Sequence, residues 1–124
     1  MHNPGPPLGG SILALALAPV IFAADYQAGV ATLVITPDEA IYLSGYASRD
    51  HPSEGVALDL KAKALVIQDK LGQRTLIVST DLIGLPRSIA DLAAARIEKD
   101  YGIGRAHILL NSSHTHTGPL LANN

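Results

Sequence analysis

Between residues 60 and 111 the chain sets out apolar runs and turn residues in an order that few architectures accommodate. Leu60 to Asp69 and Gln73 to Thr80 are rich in Val, Ile, Leu and Thr, and they flank Lys70-Leu71-Gly72. Two strand-like runs around a short loop containing glycine read as a β-hairpin with a three-residue turn. A helix follows, with Pro86 in its first turn. Ile89, Leu92, Ala93 and Ile97 are spaced to form one apolar stripe, Arg96 and Lys99 lie near the end, and Gly102 stops it. Ala106 to Asn111 is then a last strand. Strand, helix, strand is a βαβ unit, whose right-handed crossover makes its two strands parallel. Upstream, Gly29 to Ile35 reads as a strand ended by Thr36-Pro37, and Ile41-Tyr42-Leu43 as a short one ended by Ser44-Gly45. The expected class is α/β, a mixed sheet with a β-hairpin followed by a βαβ unit.

At 124 residues this is at most one small domain. A formal charge of -2 with no Lys/Arg cluster argues against a nucleic-acid partner. Cysteine is absent, which removes disulfides, thiol nucleophiles and cysteine zinc sites. Residues 11–24 are an apolar run, short of the ~20 residues that span a bilayer but suited to a signal peptide. Cleavage after Ala23 or Ala24 would put Asp25 near the new terminus. No Lys or Arg precedes the run, which is atypical for such a leader. The expectation is a signal peptide over 1–23 and a secreted or periplasmic product; a buried N-terminal helix is the plainer alternative.

The chemistry concentrates in His114-Thr115-His116-Thr117-Gly118-Pro119, just after the last strand. If the backbone there is extended, residues two apart face the same way, so both imidazoles enter one cavity. Paired neutral imidazoles suit zinc, which in catalytic sites keeps an open position for water. Incidental loop histidines are the bland alternative. Asp81 ends the strand expected beside this one. It is a third ligand, a carboxylate orienting a histidine, or only the cap of the turn before the helix. His51 lies in a polar loop (Arg49 to Gly55) and reads as solvated; His107 reads as structural. Ser112, Ser113 and Thr115 lack the Gly-x-Ser-x-Gly setting of a serine nucleophile.

Several segments together resemble a known family. Ala28-Gly29-Val30-Ala31 running to Ile35-Thr36-Pro37, Ser44-Gly45-Tyr46-Ala47, and Glu54-Gly55-Val56 before Lys61 to Ile67 are similar to the N-terminal part of the neutral/alkaline non-lysosomal ceramidases. Leu76-Ile77-Val78-Ser79-Thr80-Asp81-Leu82 and Ser113 to Pro119 continue in the same order, the latter resembling a His-Thr-His-Ser-Gly-Pro-Gly-Gly signature. The resemblance implies a zinc-dependent amidase that hydrolyses the N-acyl bond of ceramide, a lipid-like substrate, with peripheral contact to a membrane. It implies Zn2+ held by two histidines, a glutamate and a tyrosine. His114 would be a metal ligand, and His116 a catalytic, proton-transferring neighbour. Asp81, Gly45, Tyr46 and Thr115 are candidates for lining the substrate cavity or orienting the histidines.

Thr117 departs from the signature serine, Leu120-Leu121 from its Gly-Gly, and Ala57 from a histidine found in many members. The family's other ligands lie farther along its polypeptide. The resemblance therefore makes 24–124 the N-terminal portion of a larger α/β catalytic domain. Alone, such a piece is expected to be marginally stable, to expose an apolar face and unpaired sheet edges, and to be inert. Two other readings fit the residues less fully. A metallo-β-lactamase-type hydrolase also carries His-x-His after a strand, but continues with Asp-His where this chain has Thr117-Gly118-Pro119. An exported binding or remnant module would carry the histidines incidentally.

Overall fold

The computed structural model describes residues 25–121; the expected signal peptide over 1–23 lies outside them. Four strands form one sheet in the order β1-β2-β3-β4: β1 is Tyr26–Val34, β2 Lys61–Asp69, β3 Arg74–Thr80 and β4 Ile108–Ser112. β1/β2 and β2/β3 are antiparallel, and β3/β4 are parallel. Helix α1, Arg87–Tyr101, connects the parallel pair. The expected hairpin, βαβ unit and mixed sheet are all present.

The hairpin closes as its sequence requires. Asp69 N–H donates to Gln73 O at 3.0 Å, leaving three residues in the loop. The Asp69 carboxylate accepts from the amides of Leu71 and Gln73, both at 2.9 Å. Asp69→Ala is therefore expected to cost about 1 kcal/mol, two solvent-accessible hydrogen bonds being lost. Amide exchange should speed up at Leu71 and Gln73 well before β2 or β3 is affected.

The core lies between α1 and one face of the sheet. Leu76, Ala94, Ile103 and Ile108 are buried, with Ala64, Val66, Val78, Ile97 and Leu110 packed against them. Strand residues alternate faces, so Val30, Leu65, Ile77 and Leu109, in register across all four strands, belong to the other side. No described element covers that row: Val30 is 82% exposed and Leu109 56%. β1 is exposed along its whole length.

Four local expectations are corrected. The apolar stripe of α1 is rotated: Leu92 is 73% exposed and Ile89 is also exposed, while Ala94 is 3% exposed and Ile97 packs on the core. The helix carries alanines at 90, 93, 94 and 95, so more than one face satisfies the same period. Pro86 caps the helix from outside its first turn, its carbonyl accepting from Ile89 and Ala90. His107 sits in a 3-10 turn, Arg105–His107, and the strand starts one residue later. Ile41-Tyr42-Leu43 is not a strand. Leu43 forms one isolated antiparallel bridge, to Pro119, and a proline without an N–H cannot extend a ladder. Gly102 ends α1 as expected, in the left-handed region at φ 65°.

Candidate functional site

Parallel pairing aligns Thr80 with Ser112, so β3 and β4 end together at one sheet edge. Ser113 N–H still donates to Thr80 O at 2.9 Å. The chain then turns, because His114 takes φ 60°. That left-handed conformation costs a non-glycine residue about 1–2 kcal/mol. The segment is thus not the extended one expected from the sequence, yet the rings do converge. The His114 and His116 centroids are 5.3 Å apart, with planes at 64°. A turn, rather than strand alternation, brings them together.

His114 Nδ1 lies 2.7 Å from Ile83 O. A carbonyl can only accept, so Nδ1 is the donor here, and in the neutral ring this tautomer leaves the Nε2 lone pair free. This is the arrangement in which a backbone carbonyl fixes the tautomer and orientation of a metal-binding histidine. Ile83, just past β3, does the orienting for which Asp81 was a candidate. Asp81 Oδ2 accepts from Lys61 N–H at 3.0 Å, and Asp81 N–H donates to Lys61 O at 2.9 Å, tying the end of β3 to the start of β2.

His116 is half-buried and surrounded by the 44–49 loop. Ser44 N–H and Oγ both approach Gly118 O, at 2.9 and 3.2 Å, and Leu120 N–H donates to Tyr42 O at 3.0 Å. Tyr46 meets the His116 ring edge-on, at 4.9 Å between centroids and 81° between planes. Gly45 has φ +99°, and a Cβ there would stand 2.3 Å from His116 Cγ. Gly45 and Tyr46 are therefore His116's immediate neighbours. Thr115 Oγ1 instead pairs with Thr117 Oγ1 at 2.9 Å, linking the two residues that flank His116. His51 is exposed, as expected, its Nδ1 on Pro52 O.

Two participants carry no sequence signature. Ile83 contributes only a main-chain oxygen. Arg49, 67 residues from His116, donates through Nη1 to His116 O at 2.7 Å and to Ser44 O at 3.0 Å. It reads in the sequence as one more residue of a polar loop.

The arrangement has consequences for a metal. Among the described residues, no three His, Cys, Asp or Glu side chains group to hold an ion. His114 Nε2 fits as one donor. The described residues do not complete a tetrahedral site.

The match to a family model decides what this arrangement belongs to. Residues 26–122 match the model of the neutral/alkaline non-lysosomal ceramidase N-terminal domain. This chain belongs to the neutral/alkaline non-lysosomal ceramidase family. The neutral ceramidase 2 of Arabidopsis thaliana is 27% identical to it over 111 residues, which are 87% of this chain and 14% of that protein. The neutral ceramidase of Pseudomonas aeruginosa is 30% identical over 98 residues, 76% of this chain and 15% of that one. A solved ceramidase complexed with C2 superposes with a TM-score of 0.71 at 29% identity, covering 77% of this chain and 16% of that chain. The chain thus spans about a sixth or less of the length of the ceramidases it matches.

Proposed function

We propose that this chain is the part of a zinc-dependent, ceramidase-like amidase that supplies His114 as a metal ligand and His116 as its polar neighbour. The observation that carries this is the His114 ring itself, held by Ile83 O through Nδ1 and offering Nε2. The substrate is an N-acyl amide of the ceramide kind, cleaved to a fatty acid and an amino alcohol outside the cytosol. When bound, zinc activates water and polarises the amide carbonyl. This chain's own share is to fix the His114 tautomer and to hold the His116 ring close enough to exchange a proton with the reacting groups. The remaining donors come from beyond the described residues, so the isolated chain is inert.

Zinc titration of the isotopically labelled chain tests the assignment. The His114 ring signals should move as zinc is added, with no amidase turnover against a fluorescent ceramide. His114→Ala should abolish the zinc-dependent shifts without unfolding the sheet, since the ring is exposed. Unchanged His114 signals at saturating zinc would remove it as a ligand. Tight one-to-one binding with turnover would show instead that the site is complete without further donors.

A further inference from the structure

The backbone bridge between the 42–44 and 118–120 segments aligns two loops, but it does not reach the residue whose ring the site uses. Arg49 does. We propose that Arg49 is the positioning residue for His116: one guanidinium nitrogen pins the carbonyls of Ser44 and His116 together and thereby seats the imidazole over Gly45 and against Tyr46.

Each part of that seat is visible. Nη1 donates to both carbonyls, at 2.7 Å for His116 and 3.0 Å for Ser44. The same guanidinium lies over the Tyr46 ring, with Cζ 5.1 Å from its centroid, within the range of a cation–π contact. Tyr46 in turn meets the His116 ring at 4.9 Å. The Gly45 backbone also closes on this side chain, leaving no room for even a methyl group beside His116. Arg49 therefore touches the main chain of His116, the main chain beside Gly45, and the Tyr46 ring that borders the imidazole.

Its chemistry suits this use. None of the ion pairs among the described residues involves Arg49, and both hydrogen bonds from its Nη1 go to carbonyl oxygens. A charged donor strengthens such bonds. Lysine would reach one atom less far and has no planar face to lay on Tyr46. The inference rests on the proposed function only for the meaning of His116; the contacts stand without zinc.

The test is nuclear magnetic resonance on the labelled, metal-free chain. In the wild type, the Nη1 protons of Arg49 should be resolved from those of Nη2, with rotation slowed by two acceptors. The guanidinium of Arg87, on a side chain 94% exposed, should be averaged and serves as the internal control. In Arg49→Lys and Arg49→Ala, the His116 ring protons should lose most of the ring-current shift contributed by Tyr46. They should approach their positions in Tyr46→Leu, while the amide signals of β2 and β3 stay in place. Averaged Arg49 signals like those of Arg87, or His116 ring protons unmoved in both variants, would overturn the proposal. If either variant unfolds, the wild-type guanidinium spectrum still decides. None of these readouts involves metal or turnover, so a failure here leaves the zinc titration result intact, and the reverse holds too.

Discussion

Leu76→Ala is expected to lower the unfolding free energy by about 2–5 kcal/mol, the range for emptying a buried leucine site. Leu76 lies in β3 between β2 and β4, and it joins Ala94 of α1 to Ile103 and Ile108 in the small buried cluster. With so few buried side chains, little can collapse into the vacated volume, so the cost should fall toward the upper end. Domains of ordinary stability hold only ~5–15 kcal/mol in total, and no element among the described residues covers the second face of this sheet. The variant should therefore be largely unfolded in denaturant concentrations that leave the wild type native. Leu92→Ala is the control. Leucine 92 is exposed on α1, and its truncation should change stability by no more than ~0.5 kcal/mol. Equal losses for the two variants would mean that α1 sits with Ile89 and Leu92 inward.

Gly45→Ala is expected to disturb the site more than any other single methyl group. Two costs combine at this position. A side chain at φ +99° is strained, worth roughly 1–3 kcal/mol. The new Cβ would also stand 2.3 Å from His116 Cγ and 2.6 Å from its Cβ. Those atoms are at the root of the imidazole, so rotating the ring cannot clear them; the backbone or the whole side chain must move. Overpacking of this kind costs about 1–3 kcal/mol. Circular dichroism should show a lowered unfolding midpoint with the same folded spectrum. The His116 ring signals should lose their dependence on Tyr46. A variant as stable as the wild type, with His116 unmoved, would show that the two loops are not in contact.

Some of this could be read residue by residue. The Lys70-Leu71-Gly72 turn, the Gly102 stop and the β-branched runs are local: nearest neighbours along the chain decide them, through turn geometry and side-chain branching. The hairpin, the βαβ unit and the mixed sheet followed from those signals. Where several residues satisfied one period equally, the pattern was not enough. The alanine-rich helix offered more than one apolar face, and only packing in the cluster with Leu76, Ile103 and Ile108 selected the one bearing Ala94 and Ile97.

The site divides along the same line. His114 and His116 stood out because their type and spacing carry chemistry in themselves, and Gly45 and Tyr46 through the ordered motifs around them. Asp81 stood out for the same reason, but its carboxylate goes to the Lys61 amide. The positive φ of His114, the Ile83 carbonyl and the Arg49 bridge were invisible in one dimension. Each depends on loops distant in sequence meeting at one sheet edge, and a main-chain oxygen has no residue type to reveal it. Local sequence therefore determined the four strands of the sheet, though not the fate of Ile41-Tyr42-Leu43, together with the helix and the identity of the two imidazoles. Tertiary structure alone decided which way those imidazoles face, because orientation is set by contacts between segments that only the parallel pairing of β3 and β4 brings together.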